Sequence, residues 1–113
     1  MRFFLRSKIH KARVTSADVN YVGSVTIDQS LMERAGIAEY EKVLIVDNTN
    51  GARLETYALA GEPDTGVVQI NGAAAHLVHV GDEVILLTFE ATEHARQPTQ
   101  ILVDERNRFV RYL

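Results

Sequence analysis

The chain has 113 residues, the size of one small domain, and its 46% hydrophobic and 24% charged content is that of a globular rather than a disordered protein. It contains no Cys, which excludes disulfides, thiolate catalysis, zinc ribbons and iron–sulfur clusters, and its net charge of −3 argues against a generally basic nucleic-acid binder. No apolar run nears the roughly 18 residues of a membrane span, and Met1–Val14 lacks the apolar core and cleavage site of a secretory signal, so a soluble cytoplasmic protein is expected.

The amino-terminal segment carries Arg2, Arg6, Lys8, Lys11 and Arg13 with no acid. Such an arm can touch RNA or lipid headgroups, but a solvated strand or a subunit contact is the ordinary reading. As a strand, Lys8–Thr15 places Lys8, His10, Ala12 and Val14 on one face and Ile9, Lys11 and Arg13 on the other. Ser24–Ile27 is a brief β-prone run. Asp28–Ala35 reads as a short helix, with Ser30 and Glu33 offering a capping box, Asp28 a competing N-cap, and Gly36 a left-handed stop.

Val43–Asp47 is a buried-type strand, Asn48–Gly51 a turn, and Arg53–Ala60 a returning strand, which together predict a hairpin. Asp64–Gly66 marks a turn before the strand Val67–Ile70. Asn71–His76 is rich in small residues and reads as a turn into a helical stub. Val84–Phe89 is the strongest apolar strand, residues 90–98 a polar connection, and Thr99–Val103 and Arg108–Tyr112 pair across Asp104–Asn107. Many short strands with one or two helical stubs predict a mainly β protein closed as a barrel, since closure removes exposed edges.

Taken singly, the candidate site residues are ambiguous. Gly23-Ser24 is ordinarily a turn glycine before a strand serine. Arg53 and Tyr57, four apart on a strand, share a face; exposed, they are solvated, but in a cleft they supply a carboxylate clamp and a phenolic proton donor. His10, His76, His79 and His94 lack metal-site spacing. No Gly-x-Ser-x-Gly elbow, Gly-x-Gly-x-x-Gly or phosphate-binding Gly-Lys-Ser/Thr motif occurs.

Four stretches taken together are more specific: Ser7-Lys-Ile-His-Lys-Ala-Arg-Val-Thr15, Ala17-Asp-Val-Asn-Tyr-Val-Gly-Ser-Val-Thr-Ile-Asp28, Thr49-Asn-Gly-Ala-Arg-Leu-Glu-Thr-Tyr57 and Ile70-Asn-Gly-Ala-Ala-Ala-His76. With the Val80–Val84 turn, they resemble the pyruvoyl-dependent aspartate 1-decarboxylase family in order and spacing over about residues 1 to 90. The resemblance implies a small six-stranded double-psi β-barrel with short helices. It implies a single domain over 1–113, self-cleaved between Gly23 and Ser24 into a β chain 1–23 and an α chain 24–113. Homotetramers with active sites between subunits are implied, with no nucleic acid or membrane partner; a maturation factor is compatible but not implied.

The implied activity is decarboxylation of L-aspartate to β-alanine and CO₂ for pantothenate and coenzyme A synthesis. It runs through a Schiff base with a covalent pyruvoyl group made from Ser24, without a metal. By the same resemblance Tyr57 is the proton donor, Arg53 and Lys8 bind substrate carboxylate in one pocket, and Asn71, Gly72, Ala73 and Ala74 line it. Thr56 and Tyr21 support maturation and His10 orients groups. Cleavage is expected to need a strained backbone, for which a glycine at 23 is suited. Two other readings stay open: an unprocessed barrel serving as a binding module, and a small RNA-associated barrel using the basic arm.

Overall fold

The computed structural model describes residues 1–113. Its elements in chain order are β1 (Arg2–Arg13), β2 (Ser16–Asp18), β3 (Ser24–Asp28), α1 (Gln29–Ala35), β4 (Lys42–Asp47) and β5 (Arg53–Gly61). These are followed by β6 (Val68–Asn71), a 3₁₀ turn (Gly72–His76), β7 (Glu83–Thr92), β8 (Thr99–Val103) and β9 (Phe109–Tyr112). About half of the chain is strand, as the sequence predicts. The strands hydrogen-bond in the order β2-β6-β3-β5-β4-β7-β1-β8-β9, so nine strands form where six were expected. The sheet is not closed, since β2 and β9 end the order without pairing to each other.

The predicted hairpins are present as antiparallel β4–β5 and β8–β9 pairs. Three pairs are parallel: β3 with β5, β1 with β8, and β2 with β6. Alternation packs one face of the central strands into the core. Val43 and Ile45, Val84 and Leu86, Val25 and Ile27, and Val68 and Ile70 are all fully buried. Leu31, Met32 and Ala35 of α1 cover part of this core. Each fully buried Ile, Leu or Val contributes about 2 kcal/mol relative to an exposed one.

β1 departs from the simple alternation expected for it. Ile9 pairs with Leu86 but Ala12 with Val84, so three steps on β1 oppose two on β7, and Lys11 takes φ 66°. This bulge reverses the strand's parity. Ser7 and Ile9 face inward before it, Ala12 and Val14 after it, and Ala12 and Val14 therefore do not share a face with Lys8.

Asp28, not Ser30, caps α1. Its Oδ1 accepts the Ser30 N–H at 2.8 Å and the Ser30 hydroxyl at 2.7 Å. The same carboxylate accepts the N–H of Asp64 at 3.0 Å and of Gly66 at 2.8 Å, tying the helix start to the β5–β6 turn. Burial alone pushes this carboxyl up, but the bonds from Ser30, Gly66 and Asp64 overcome it and hold Asp28 below its ordinary value. Asn107 is a comparable tether. Its amide accepts the Arg13 N–H and donates to the Arg13 and Gly66 carbonyls, each within 2.8 Å, so the β8–β9 turn is fastened to the end of β1.

Candidate active site

Ser24 opens β3 directly opposite Asn71, the last residue of β6. Since Val25, Ile27, Val68 and Ile70 point into the core, Ser24, Thr26, Gln69 and Asn71 share the other face of this antiparallel pair. They form one hydrogen-bonded chain. Gln69 Nε2 donates to Asn71 Oδ1 at 2.8 Å, and Asn71 Nδ2 donates to Ser24 Oγ at 2.8 Å and to Thr26 Oγ1 at 3.1 Å. The Ser24 hydroxyl makes a long contact, 3.5 Å, to the Val22 carbonyl. Ser24 and Asn71 are both buried, while Gly23 beside them is exposed.

Backbone packs on backbone here. Gly72 has φ +76°, and a Cβ on it would lie 2.7 Å from Gly23 Cα, 2.9 Å from Gly23 N and 3.1 Å from the Tyr21 carbonyl oxygen. Only glycine allows this approach. Gly23 itself is not in the left-handed region; the left-handed glycine of this contact is Gly72, on the neighbouring element. A Cβ on Gly23 would meet nothing closer than the Asn71 carbonyl oxygen at 3.9 Å, which leaves the Gly23 main chain open on its outer side.

The parallel register Val25↔Ala58 brings Thr56 and Tyr57 of β5 alongside Gly23-Ser24. An open cleft of about 490 Å³ results. Gly23 and Asn71 form one wall, Thr56 and Tyr57 another, and Ala73, Ala74, Leu54 and Leu77 supply small or apolar surface, with Glu55 at the edge. Glu55 is paired with Lys42. Tyr21 contributes its carbonyl to the Gly72 contact, but its half-exposed ring does not line the cleft.

Arg53, Lys8 and His10 are not brought into this cleft within one chain. Arg53 is on the outer face of β5. Lys8 follows the register row Glu55–Leu44–Leu87–Lys8, three strands from β5. At about 4.8 Å per strand, that is roughly 14 Å. The outer face of β1, β7, β4 and β5 thus carries Lys8 and Arg53, neither in an ion pair, among Leu44, Leu87 and Phe89. Burial, with Lys8 and Lys11 nearby, pushes His10 below the usual imidazole value, and its buried Nδ1 has no hydrogen-bond partner. Sequence reasoning missed Thr26 and Gln69. The strand signal at Val67–Ile70, with Gln69 flanked by two core residues, places it on the Asn71 face.

A second, more polar cleft of about 450 Å³ lies between Arg34, Arg106 and Arg108, but its buried acid, Asp28, is consumed in capping α1. No three His, Asp or Glu side chains converge as a metal-ligand set, and no helix is long and apolar enough to cross a membrane.

Three of the four stretches that carried the resemblance meet in the first cleft, the Ser7–Thr15 stretch lying apart on β1, and the similarity extends past residue 90 through the β8–β9 turn that Asn107 ties to β1. Residues 1–110 match the family model described as aspartate decarboxylase, and the chain belongs to that family.

Proposed function

We propose that the protein is a self-processing L-aspartate decarboxylase that forms β-alanine and CO₂ for pantothenate synthesis, and that it cuts itself between Gly23 and Ser24. The observation that carries this reading is a buried Ser24 hydroxyl bound by Asn71, beside a Gly23 main chain open to a cleft. In the cut, Ser24 Oγ bonds to the Gly23 carbonyl carbon as the Gly23–Ser24 C–N bond breaks, and the freed amine takes the proton. Loss of the Ser24 α-proton then breaks the Oγ–Cβ bond and releases the Gly23 carboxylate. Tautomerisation of the resulting enamine and attack by water expel ammonia and leave a pyruvoyl group at the start of residues 24–113, with 1–23 as the smaller chain.

The residues present fit such a group. Asn71, itself held by Thr26 and Gln69, supplies a polar partner at its position, and Ala73 and Ala74 leave room beside it. When formed, it supplies an electrophilic carbonyl and an electron sink for decarboxylation. Tyr57, on the cleft wall, holds the proton delivered to the carbon that loses CO₂. Thr56, on the same wall, and the Tyr21 main chain against Gly72 support the cut.

Arg53 and Lys8 bind substrate carboxylate, and a second copy of the chain completes the site. Their place on an outer sheet face with the exposed Phe3 (79%) and Phe89 (46%) supports a homotetramer with its clefts between subunits. The double-psi topology is part of the same reading, supported by the parallel β3–β5 and β1–β8 pairs among antiparallel neighbours. So are a single domain and a cytoplasmic location.

Denaturing intact mass spectrometry tests the whole. Two fragments meeting at 23/24, the larger lacking the mass of ammonia and trapped by hydroxylamine, are expected together with β-alanine from aspartate. A chain that stays uncut after prolonged warm incubation and releases no CO₂ from aspartate would overturn it.

A further inference from the structure

Asn71 is 1% exposed and sits among three partners, each of which constrains its amide differently. The hydroxyls of Ser24 and Thr26 can donate or accept, so hydroxyl chemistry by itself does not fix which way round the amide lies. Ser24, however, has its own acceptor in the Val22 carbonyl and needs a donor on its oxygen. That donor is Asn71 Nδ2, and the orientation that supplies it turns Asn71 Oδ1 away from Ser24. Gln69 Nε2 meets that oxygen at 2.8 Å. Without Gln69, this buried carbonyl oxygen has no other donor in the structure, and nothing on that side of the amide distinguishes its oxygen from its nitrogen.

We propose that Gln69 is a positioning residue for self-processing: by donating to Asn71 Oδ1, it keeps an N–H rather than a carbonyl oxygen on Ser24 Oγ. The inference rests on the self-cleavage reading above and deepens it. An N–H on Oγ favours the charged form of that oxygen, and hence its loss of a proton as the Gly23 carbonyl is attacked. A carbonyl oxygen in the same place instead holds the Ser24 proton on the attacking atom. Gln69 touches none of the reacting atoms and acts through Asn71 alone. It is half-buried, between the core residues Val68 and Ile70, so its side chain can be changed without opening the core.

The discriminating variants differ only in hydrogen-bond polarity. An ionised glutamate at 69 can only accept and forces Asn71 to present its oxygen to Ser24; a lysine can only donate. The first-order appearance of fragments 1–23 and 24–113 is followed by denaturing mass spectrometry between pH 4.5 and 8 for wild type, Gln69→Glu and Gln69→Lys. At pH 8 the Gln69→Glu protein is expected to cleave about tenfold more slowly than wild type, the size of one neutral hydrogen bond. Its rate relative to wild type should recover as pH falls toward the glutamate range near about 4.3, because the protonated acid donates again. Gln69→Lys should stay within about twofold of wild type throughout, one small fraction of a hydrogen bond.

A merely structural role for Gln69 predicts no such recovery. A pH-independent Gln69→Glu ratio, or a Gln69→Lys protein as slow as Gln69→Glu at pH 8, overturns the proposal while self-cleavage of the wild type stands. Circular dichroism of each variant in a Ser24→Ala background reports folding separately, and a Gln69→Glu protein that is unfolded there leaves Gln69→Lys to decide: a slow Gln69→Lys refutes it. An uncut wild type counts against the self-processing reading itself.

Discussion

The closest backbone contact in the candidate site makes Gly72→Ala the sharpest single perturbation. The new Cβ would lie 2.7 Å from Gly23 Cα, about 0.7 Å inside the 3.4 Å at which ordinary contact begins, and its neighbours are main-chain atoms that cannot rotate away. Holding an alanine at φ +76° costs about 1 kcal/mol, and overpacking against a fixed backbone about 1–3 more. Gly51→Ala is the matched control: φ is +81°, but nothing lies within 4 Å of its Cβ, so only the backbone cost of about 1 kcal/mol remains. Urea unfolding by far-ultraviolet circular dichroism, with both variants in a Ser24→Ala background, compares uncut chains throughout. A loss of about 2–4 kcal/mol is expected for Gly72→Ala and about 1 for Gly51→Ala. With Ser24 restored, displacement of the Gly23 segment should slow cleavage by up to about 100-fold in Gly72→Ala and leave Gly51→Ala unaffected. Equal losses of stability in the two variants, or wild-type cleavage in Gly72→Ala, would refute the reasoning.

Asp28→Ala removes a helix cap and leaves the Asp64 and Gly66 N–H groups without their acceptor, so a loss of about 3 kcal/mol is expected in the same unfolding assay. Because the folded carboxyl of Asp28 is held below its ordinary 3.8, its contribution is present above that value and fades as pH falls through the folded one; the wild-type and Asp28→Ala curves should converge in acid. Asp47 behaves oppositely: burial and the Asp82 carboxyl push it up from 3.8, and its buried Oδ2 has no donor. Stability from Asp47 is therefore present at low pH and lost as pH rises through its raised value. Asp47→Asn, whose amide can donate to Asp82, should be about 1 kcal/mol more stable than wild type at pH 7 and not at pH 4. A destabilised Asp47→Asn protein at pH 7 would contradict this. Tyr57→Phe and Arg53→Ala should still permit cleavage, but steady-state assay of the cut proteins should show about 100-fold lower kcat for the first and raised KM for the second. Wild-type kinetics in either would remove its assigned role.

What the sequence made legible was local. The β4–β5 hairpin is written in Asn48–Gly51 between two apolar runs, and the end of α1 in Gly36, because turn and cap chemistry depends on neighbouring residues. The parallel pairing of β3 with β5, which sets Tyr57 beside Ser24, depends on contacts between residues more than thirty positions apart and leaves no periodic trace. The reversed parity of β1 was equally hidden, since a single positive φ at Lys11 flips every later side chain. The sequence offers Asp28 as one of two candidate caps and carries no sign of its hold on the β5–β6 turn. Asn71 and Gly72 were named through a motif, while Gln69, invisible to the motif, was within reach of strand alternation. The separation of Lys8 from the cleft follows from strand order, which no local pattern encodes.

The place of β1 in that order bears on what the proposed cut at Gly23–Ser24 would do to the molecule. Residues 1–23 are no peripheral tail: β1 is hydrogen-bonded to β7 on one side and β8 on the other, and β2 to β6. A piece excised there would therefore stay as an interior strand held without a covalent link. A precursor can unfold and refold as one chain, whereas the processed protein, once opened, must find its partner fragment again at a rate that depends on concentration. On the proposed reading, self-cleavage would convert a reversible fold into one whose persistence rests on slow opening, and would demand that folding be finished before chemistry begins.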